Sequence, residues 1–252
     1  MRRISCAAII MVILLIAGCA CRPHPYSLAP FKVGKEHFHG KVKTIALAPL
    51  ALPFKLQHSQ DVQQLFEYYL TMILEAAGFT VVSSDIYSRT WDALADKVGG
   101  YYNSRTGKVD NSKLKAVFDH FGRQMYEKYH VDAFLRSSVA QVGVQFAHCR
   151  ACWHGVSEDI GLPFFSADMR GSLPALSLIV SIEDRDGVVM YNNGAGIQLA
   201  ATVHFGSINS LPEEDILTCK LKNKRAVELA LQPLISASGQ SITQIEDSGK
   251  NP

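Results

Sequence analysis

The sequence predicts an α/β protein, an α+β-like sandwich on a mixed sheet with its helices mainly on one face. Three observations carry that expectation. Residues 42–48, 59–77 and 79–83 read in turn as strand, amphipathic helix and strand, which is a βαβ unit with parallel strands. Residues 176–182 and 188–191 flank Glu183-Asp184-Arg185-Asp186-Gly187 and read as a β-hairpin. A final helical stretch lies within residues 212–236.

The leading unit rests on local chemistry. Val42-Lys43-Thr44-Ile45-Ala46-Leu47-Ala48 is mostly apolar and is stopped by Pro49. Val62, Leu65, Phe66, Tyr69, Leu70, Ile73, Leu74 and Ala77 recur at steps of three and four, the strongest helical period in the chain. Gly78 follows as a C-terminal cap, and Phe79-Thr80-Val81-Val82-Ser83 is β-branched between Gly78 and Asp85.

Further helices are expected over 85–99, around Ile86, Trp91, Leu94 and Val98, and from Asn111, around Leu114, Val117, Phe118, Phe121, Met125 and Tyr129. Residues 133–146 alternate as a long strand with one wetter face. Residues 147–173 have no clean period and carry Gly155, Gly161, Pro163 and Gly171, so they read as a long functional or mobile loop. The return arm of the hairpin runs through Ala200, with Gly194 and Gly196 marking a bulge. Pro233 ends or bends the last helix.

The chain has 252 residues, 48% hydrophobic and 19% charged, with a net charge of +2. That composition supports an ordinary core and lacks the clustered Lys/Arg of a nucleic-acid binder. No Gly-x-Ser-x-Gly or Gly-x-Gly-x-x-Gly occurs, so no catalytic residue, metal ligand or cofactor is assigned.

Met1-Arg2-Arg3 precedes an apolar run over residues 4–17. Fourteen helical residues rise only about 21 Å, short of a hydrocarbon core of about 30 Å, which fits a cleaved signal peptide better than a spanning helix. The run ends in Ile16-Ala17-Gly18-Cys19, which resembles the lipobox of bacterial lipoprotein precursors at every position. The resemblance implies cleavage before Cys19, a lipid (palmitate among its chains) on that residue, and attachment to the bilayer through the acyl chains. Two or three chains make such an anchor effectively permanent. Ala20 stands where an inner-membrane retention signal places Asp, so the expected location is the outer membrane, facing the periplasm. The expected organisation is a signal peptide over 1–18, a lipidated tether over 19–40, an α/β domain over 41–237 and a polar tail over 238–252.

Four stretches of the domain resemble a group of periplasmic α/β lipoproteins and domains. They are Thr44-Ile45-Ala46-Leu47-Ala48-Pro49, Ala77-Gly78-Phe79-Thr80-Val81-Val82, Tyr129-His130-Val131-Asp132-Ala133-Phe134-Leu135 and the hairpin Ile182-Glu183-Asp184-Arg185-Asp186-Gly187-Val188-Val189-Met190-Tyr191. The group includes the curli-secretion channel lipoprotein, lipoprotein activators of penicillin-binding proteins, and the N-terminal domain of the Tol-system propeller protein. The resemblance spans about residues 41–236, in the order and spacing of these stretches. It implies a non-enzymatic module that binds or scaffolds another envelope protein, with a homo-oligomer as a further possibility.

His148-Cys149-Arg150-Ala151-Cys152-Trp153-His154 is the sharpest local feature. In an oxidising compartment Cys149 and Cys152 are first a candidate disulfide, and Cys219 is an alternative partner for either. With Cys21 there are four cysteines beyond Cys19, and sequence alone does not choose a pairing. A thiol-redox or metal-handling role for Cys149 and Cys152 is the alternative, and a ring-forming secretion lipoprotein ranks behind it. Trp153, Leu162, Phe164 and Phe165 are candidate partner-binding anchors, equally readable as a cover for the sheet. His37 and His39 alternate as metal ligands do, but a proline-rich segment suits a tether better. Glu183–Gly187 reads as a turn and not a calcium loop, because the distal Glu is missing.

Overall fold

The computed structural model describes residues 24–235, apart from 54, 104, 148, 161–169 and 205–206. The first parallel unit forms where the pattern placed it. Strand β1 (Thr44–Leu47) leads through helix α2 (Ser59–Ala76) to β2 (Thr80–Val82), and a short helix α1 (Lys35–Lys41) precedes them. Two helices follow, α3 (Ser84–Lys97) and α4 (Asn111–Tyr129). Then come the strands β3 (Ala133–Ala147), β4 (Arg150–Trp153), β5 (Val156–Asp159), β6 (Arg170–Asp184), β7 (Val189–Leu199), β8 (Ala201–His204) and β9 (Ser207–Ser210). A 3-10 turn at Glu213–Asp215 and helix α5 (Lys220–Ile235) close the described chain.

The main sheet runs β2-β1-β3-β6-β7. β1 is parallel to β2 and β3, while β6 and β7 are antiparallel to their neighbours. The stretch around Asp132 fixes the parallel register. His130 caps α4 in the left-handed region, and the Asp132 carboxylate accepts from the backbone N–H of Lys43 at 2.8 Å and Thr44 at 3.0 Å. In the β6–β7 turn, Asp184 Oδ1 accepts from Asp186 N at 3.0 Å and Val188 N at 2.9 Å. The bulge falls at Ile197, beside Gly196, where the β6–β7 register shifts between Leu176 and Ser177.

The α/β class, the mixed sheet and the hairpin-plus-helix ending stand as expected. Three of the five helices, α1, α2 and α5, share one face, and α3 and α4 cover the other. Ile45 and Leu47 face α2 and α5, whereas Ala46 and Phe134 face α3 and α4, because successive strand residues point to opposite sides. A third core lies past the middle of β3. There Val144 and Phe146 of β3, Ala151 and Trp153 of β4, Val156 of β5, Leu173 and Ala175 of β6 and Leu199 of β7 meet. The β8–β9 hairpin adds Ala201 and Val203.

Two expectations change. Residues 147–173 are not one long loop, since β4 and β5 form a hairpin within them. Residues 24–40, expected as part of a tether, are seated on the domain. Phe31 forms a bridge with Tyr191, Lys32 N donates to Met190 O at 2.8 Å, and Asn192 N donates to Pro30 O at 2.8 Å. Phe38 is 0% exposed, packed edge-on against Phe31 and Phe79. The prolines deny this segment an ordinary ladder, yet its two aromatic side chains give it enough apolar area to dock.

Removing a fully buried phenylalanine costs about 3–5 kcal/mol. Phe38→Ala should therefore lower the unfolding free energy by about that much in urea titration. A change under about 0.5 kcal/mol, typical of an exposed site, would return the segment to a tether.

Candidate functional site

The β4–β5 hairpin gathers most of the residues that the sequence singled out. His154 and Gly155 join the strands with φ of 37° and 81°, the left-handed pair that suits a two-residue hairpin turn. Alternation along β4 turns Ala151 and Trp153 inward and Arg150 and Cys152 outward. Trp153 is 5% exposed, with its Nε1 3.4 Å from the Leu176 carbonyl. It covers the sheet, so of its two sequence readings the core role is the one observed. Leu162, Phe164, Phe165 and Cys19 lie outside the described residues.

The hairpin bends β4 and β5 round until β5 meets β7, and the five strands enclose the third core as a partly open barrel. Two contacts bridge the gap: Gly196 N donates to His154 O at 2.9 Å, and Leu199 N to Glu158 Oε2 at 3.1 Å. Glu158 also pairs through Oε1 with Lys222 on α5, at 2.6 Å. Gly196 is required for the approach. A Cβ there would lie 2.1 Å from Val156 Cγ2 and 2.7 Å from Trp153 Nε1.

Cys149 and Cys219 are free thiols, which removes every pairing among Cys149, Cys152 and Cys219. Cys149 lies in the turn between β3 and β4, while Cys152 is on β4. Cys149 is free and Cys152 is not, so the two do not act together as a dithiol. Among the described residues no group of three or more His, Cys, Asp or Glu side chains is placed to hold a metal ion. His39 rests against Phe79 and Phe31, with its Nε2 buried and unpartnered.

A second feature escaped the sequence reading. β1 lies between β2 and β3, and the chain leaves on one face through α2 and returns on the other through α3 and α4. Ligands of open α/β sheets gather at such a switch point, beyond the carboxyl ends of the strands. Here that place is a cleft of about 310 Å³, lined by Leu50, Gln63, Gln64, Glu67, Ser84 and Ser137 among others. Glu67 accepts from the backbone N–H and hydroxyl of Ser84, and Gln63 Nε2 donates to the Leu50 carbonyl at 3.0 Å. Ser137 is 4% exposed, and its hydroxyl has no partner. Glu67 and Asp85 are the charged residues of its lining and no Lys, Arg or His joins them, so the cleft has no pull on an anion. Its residues come from the end of β1, α2, the start of α3 and β3, up to some ninety positions apart, and no local motif announces them.

No family model and no curated protein matches the chain. Solved structures with a similar trace include the lipoprotein GNA1162 from Neisseria meningitidis, 14% identical, covering 65% of this chain and 88% of its own, with a TM-score of 0.33. A PelC dodecamer from Paraburkholderia phytofirmans is 8% identical, covering 85% of this chain and 95% of its own, with a TM-score of 0.34. At such identities and scores nothing about the activity or assembly of those proteins passes to this one.

Gly196→Ala should cost at least the 1–3 kcal/mol typical of overpacking, because both clashing groups belong to the hairpin that closes the barrel. An unchanged urea midpoint would mean that the closure contributes nothing. His154 supplies a pH test. Its ring is held beside Ser177 Oγ at 2.8 Å, and desolvation by burial lowers its pKa from the ordinary 6.5. The unfolded chain then binds a proton that the folded chain refuses, so stability falls as pH drops below about 6.5. His154→Asn keeps a residue that tolerates positive φ. Its Tm should fall less than that of the parent between about pH 7 and pH 5.5, and parallel curves would show that His154 is not the group responsible.

Proposed function

We propose that this is a lipoprotein anchored through Cys19 to the outer membrane, facing the periplasm, where it binds or scaffolds another envelope protein without catalysing a reaction. One observation carries the reading beyond the lipobox. The chain is already bonded to the domain at His24, whose carbonyl accepts from Gly155 N at 2.9 Å. Five extended residues reach at most about 18 Å, so acyl chains on Cys19 would hold the domain against the bilayer surface. Among the described residues no helix is long and apolar enough to cross a membrane, and the attachment in this reading is the lipid.

The non-enzymatic part is supported by the cleft at the switch point, where the buried Ser137 hydroxyl has no partner and the Glu67 carboxylate is taken up by Ser84. With Trp153 inside the barrel, the anchors left for a partner are Leu162, Phe164 and Phe165, in the connection between β5 and β6. The thiol-redox and metal alternative loses its paired thiols, since Cys149 is free and Cys152 is engaged elsewhere.

Two measurements test the reading. The intact mass of the mature protein should show a chain beginning at Cys19 with a lipid-sized increment, and Cys19→Ala should release it from membranes; an unmodified N-terminus would overturn the anchor. A double variant, Phe164→Ser with Phe165→Ser, should abolish photo-crosslinking to a single envelope protein while leaving Tm nearly unchanged. A large fall in Tm would instead make those rings part of the core.

A further inference from the structure

The hairpin presents Cys152 outward, and this cysteine is not free. Cys149 and Cys219 both are, so neither is its partner. The remaining cysteines of the chain are Cys6, Cys19 and Cys21. Cys6 belongs to the expected signal peptide and Cys19 to the expected lipid. The backbone of the N-terminal segment meets the hairpin turn at the His24–Gly155 hydrogen bond, and the rings of Tyr26 and His154 pack edge-on at 4.9 Å. Counting back from that contact, Cys21 is three residues before His24 and Cys152 is three before Gly155. Three residues of chain span at most about 11 Å, so this contact keeps Cys21 within reach of Cys152.

We propose that Cys21 and Cys152 form a disulfide that ties the lipidated N-terminus to the barrel. The inference rests on the exported-lipoprotein reading, because the bond needs an oxidising compartment. Two thiols become one S–S bond. Their two electrons and two protons pass to the disulfide of a periplasmic thiol-oxidising protein, which is reduced to a dithiol by exchange. The anchor and the barrel then become one covalent unit. A single residue, Ala20, separates the lipid on Cys19 from the crosslink, so the barrel end of the domain is the part held at the bilayer.

The test is peptide mapping of the full-length protein purified from cell envelopes, alkylated before reduction. Trypsin separates the cysteines cleanly, because Arg150 lies between Cys149 and Cys152 and the Arg22-Pro23 bond resists cleavage. The peptide over residues 19–32 should appear linked to that over 151–170, and the link should vanish on reduction. The peptides carrying Cys149 and Cys219 should be alkylated from the start. The mass of the 19–32 peptide also reports the lipid, so a failed anchor and a failed crosslink register separately. Cys21→Ser should make Cys152 alkylatable and lower Tm by about 10 °C, since the bond closes a loop of more than a hundred residues. An alkylated Cys152 in the unreduced parent, a link from 151–170 to any other peptide, or a disulfide-linked dimer on a non-reducing gel would overturn the proposal.

Discussion

The fold depends on the ladder between β3 and β6, in which Ala133 to Ala147 pair with Asp184 to Arg170 without a break. No other pair of elements spans all three cores. At one end, Leu135 and Val139 face Ile182 and Leu178 under α2 and α5, while Phe134 points the other way, under α3 and α4. At the far end, Val144 and Phe146 are buried with Leu173 inside the barrel. The buried side of β3 therefore changes between Val139 and Val144, although the strand itself never turns over. What changes is the cover: helices at one end, a curled hairpin at the other. A one-residue slip in this ladder would expose every one of these side chains at once.

That change of cover explains how far the sequence could be read. The α2 stripe was legible because Val62, Phe66, Leu70, Ile73 and Leu74 face a single core along four turns. In β3 the alternation was legible, but it looked like one wet face because the pattern contains two half-buried segments of opposite phase. Which helices lie on which face could not be read. Ile45, Ala46 and Leu47 are apolar on both sides, as a strand covered twice must be, and such a run does not say which helix lies where. β4 and β5 went unread for a different reason. Four-residue strands give too few alternations to show a period, and Gly155, which reads as a loop residue, is here the turn that makes them a hairpin.

The site residues divide along similar lines. Trp153 was marked by its chemistry, and its burial depended on Gly196, forty-three positions later, having no side chain. Cys149 and Cys152 were marked by a spacing whose usual meaning is a paired site; here Cys149 belongs to the β3–β4 turn and Cys152 to β4, and they do not pair. The segment from His24 to Gly40 was misjudged because its Pro and Gly content is that of a linker, while its docking rests on Phe31 and Phe38 finding Tyr191 and Phe79. Contacts of that range have no local signature. Ser137, Gln63 and Glu67 come together for the same kind of reason, through the topology of β1, α2 and β3 alone.

The N-terminal segment and Glu158 bear on the same hairpin from two sides. His24 and Tyr26 hold its turn, and Glu158 ties its second strand to Leu199 on β7 and Lys222 on α5. Lys222 is partly solvated, so that ion pair contributes little by itself. The Glu158 carboxylate matters more as an acceptor for Leu199 N, which β7 would otherwise leave without a ladder partner beside β5. A pull on the N-terminus would thus load the β4–β5 hairpin and the barrel first. The parallel half, with its switch-point cleft, is coupled to that load through the β3–β6 ladder, through α5 packed on α2, and through the Phe38–Phe79 contact. A chain held at its N-terminus can in this way have one end fixed and still present the face of α3 and α4 on the other.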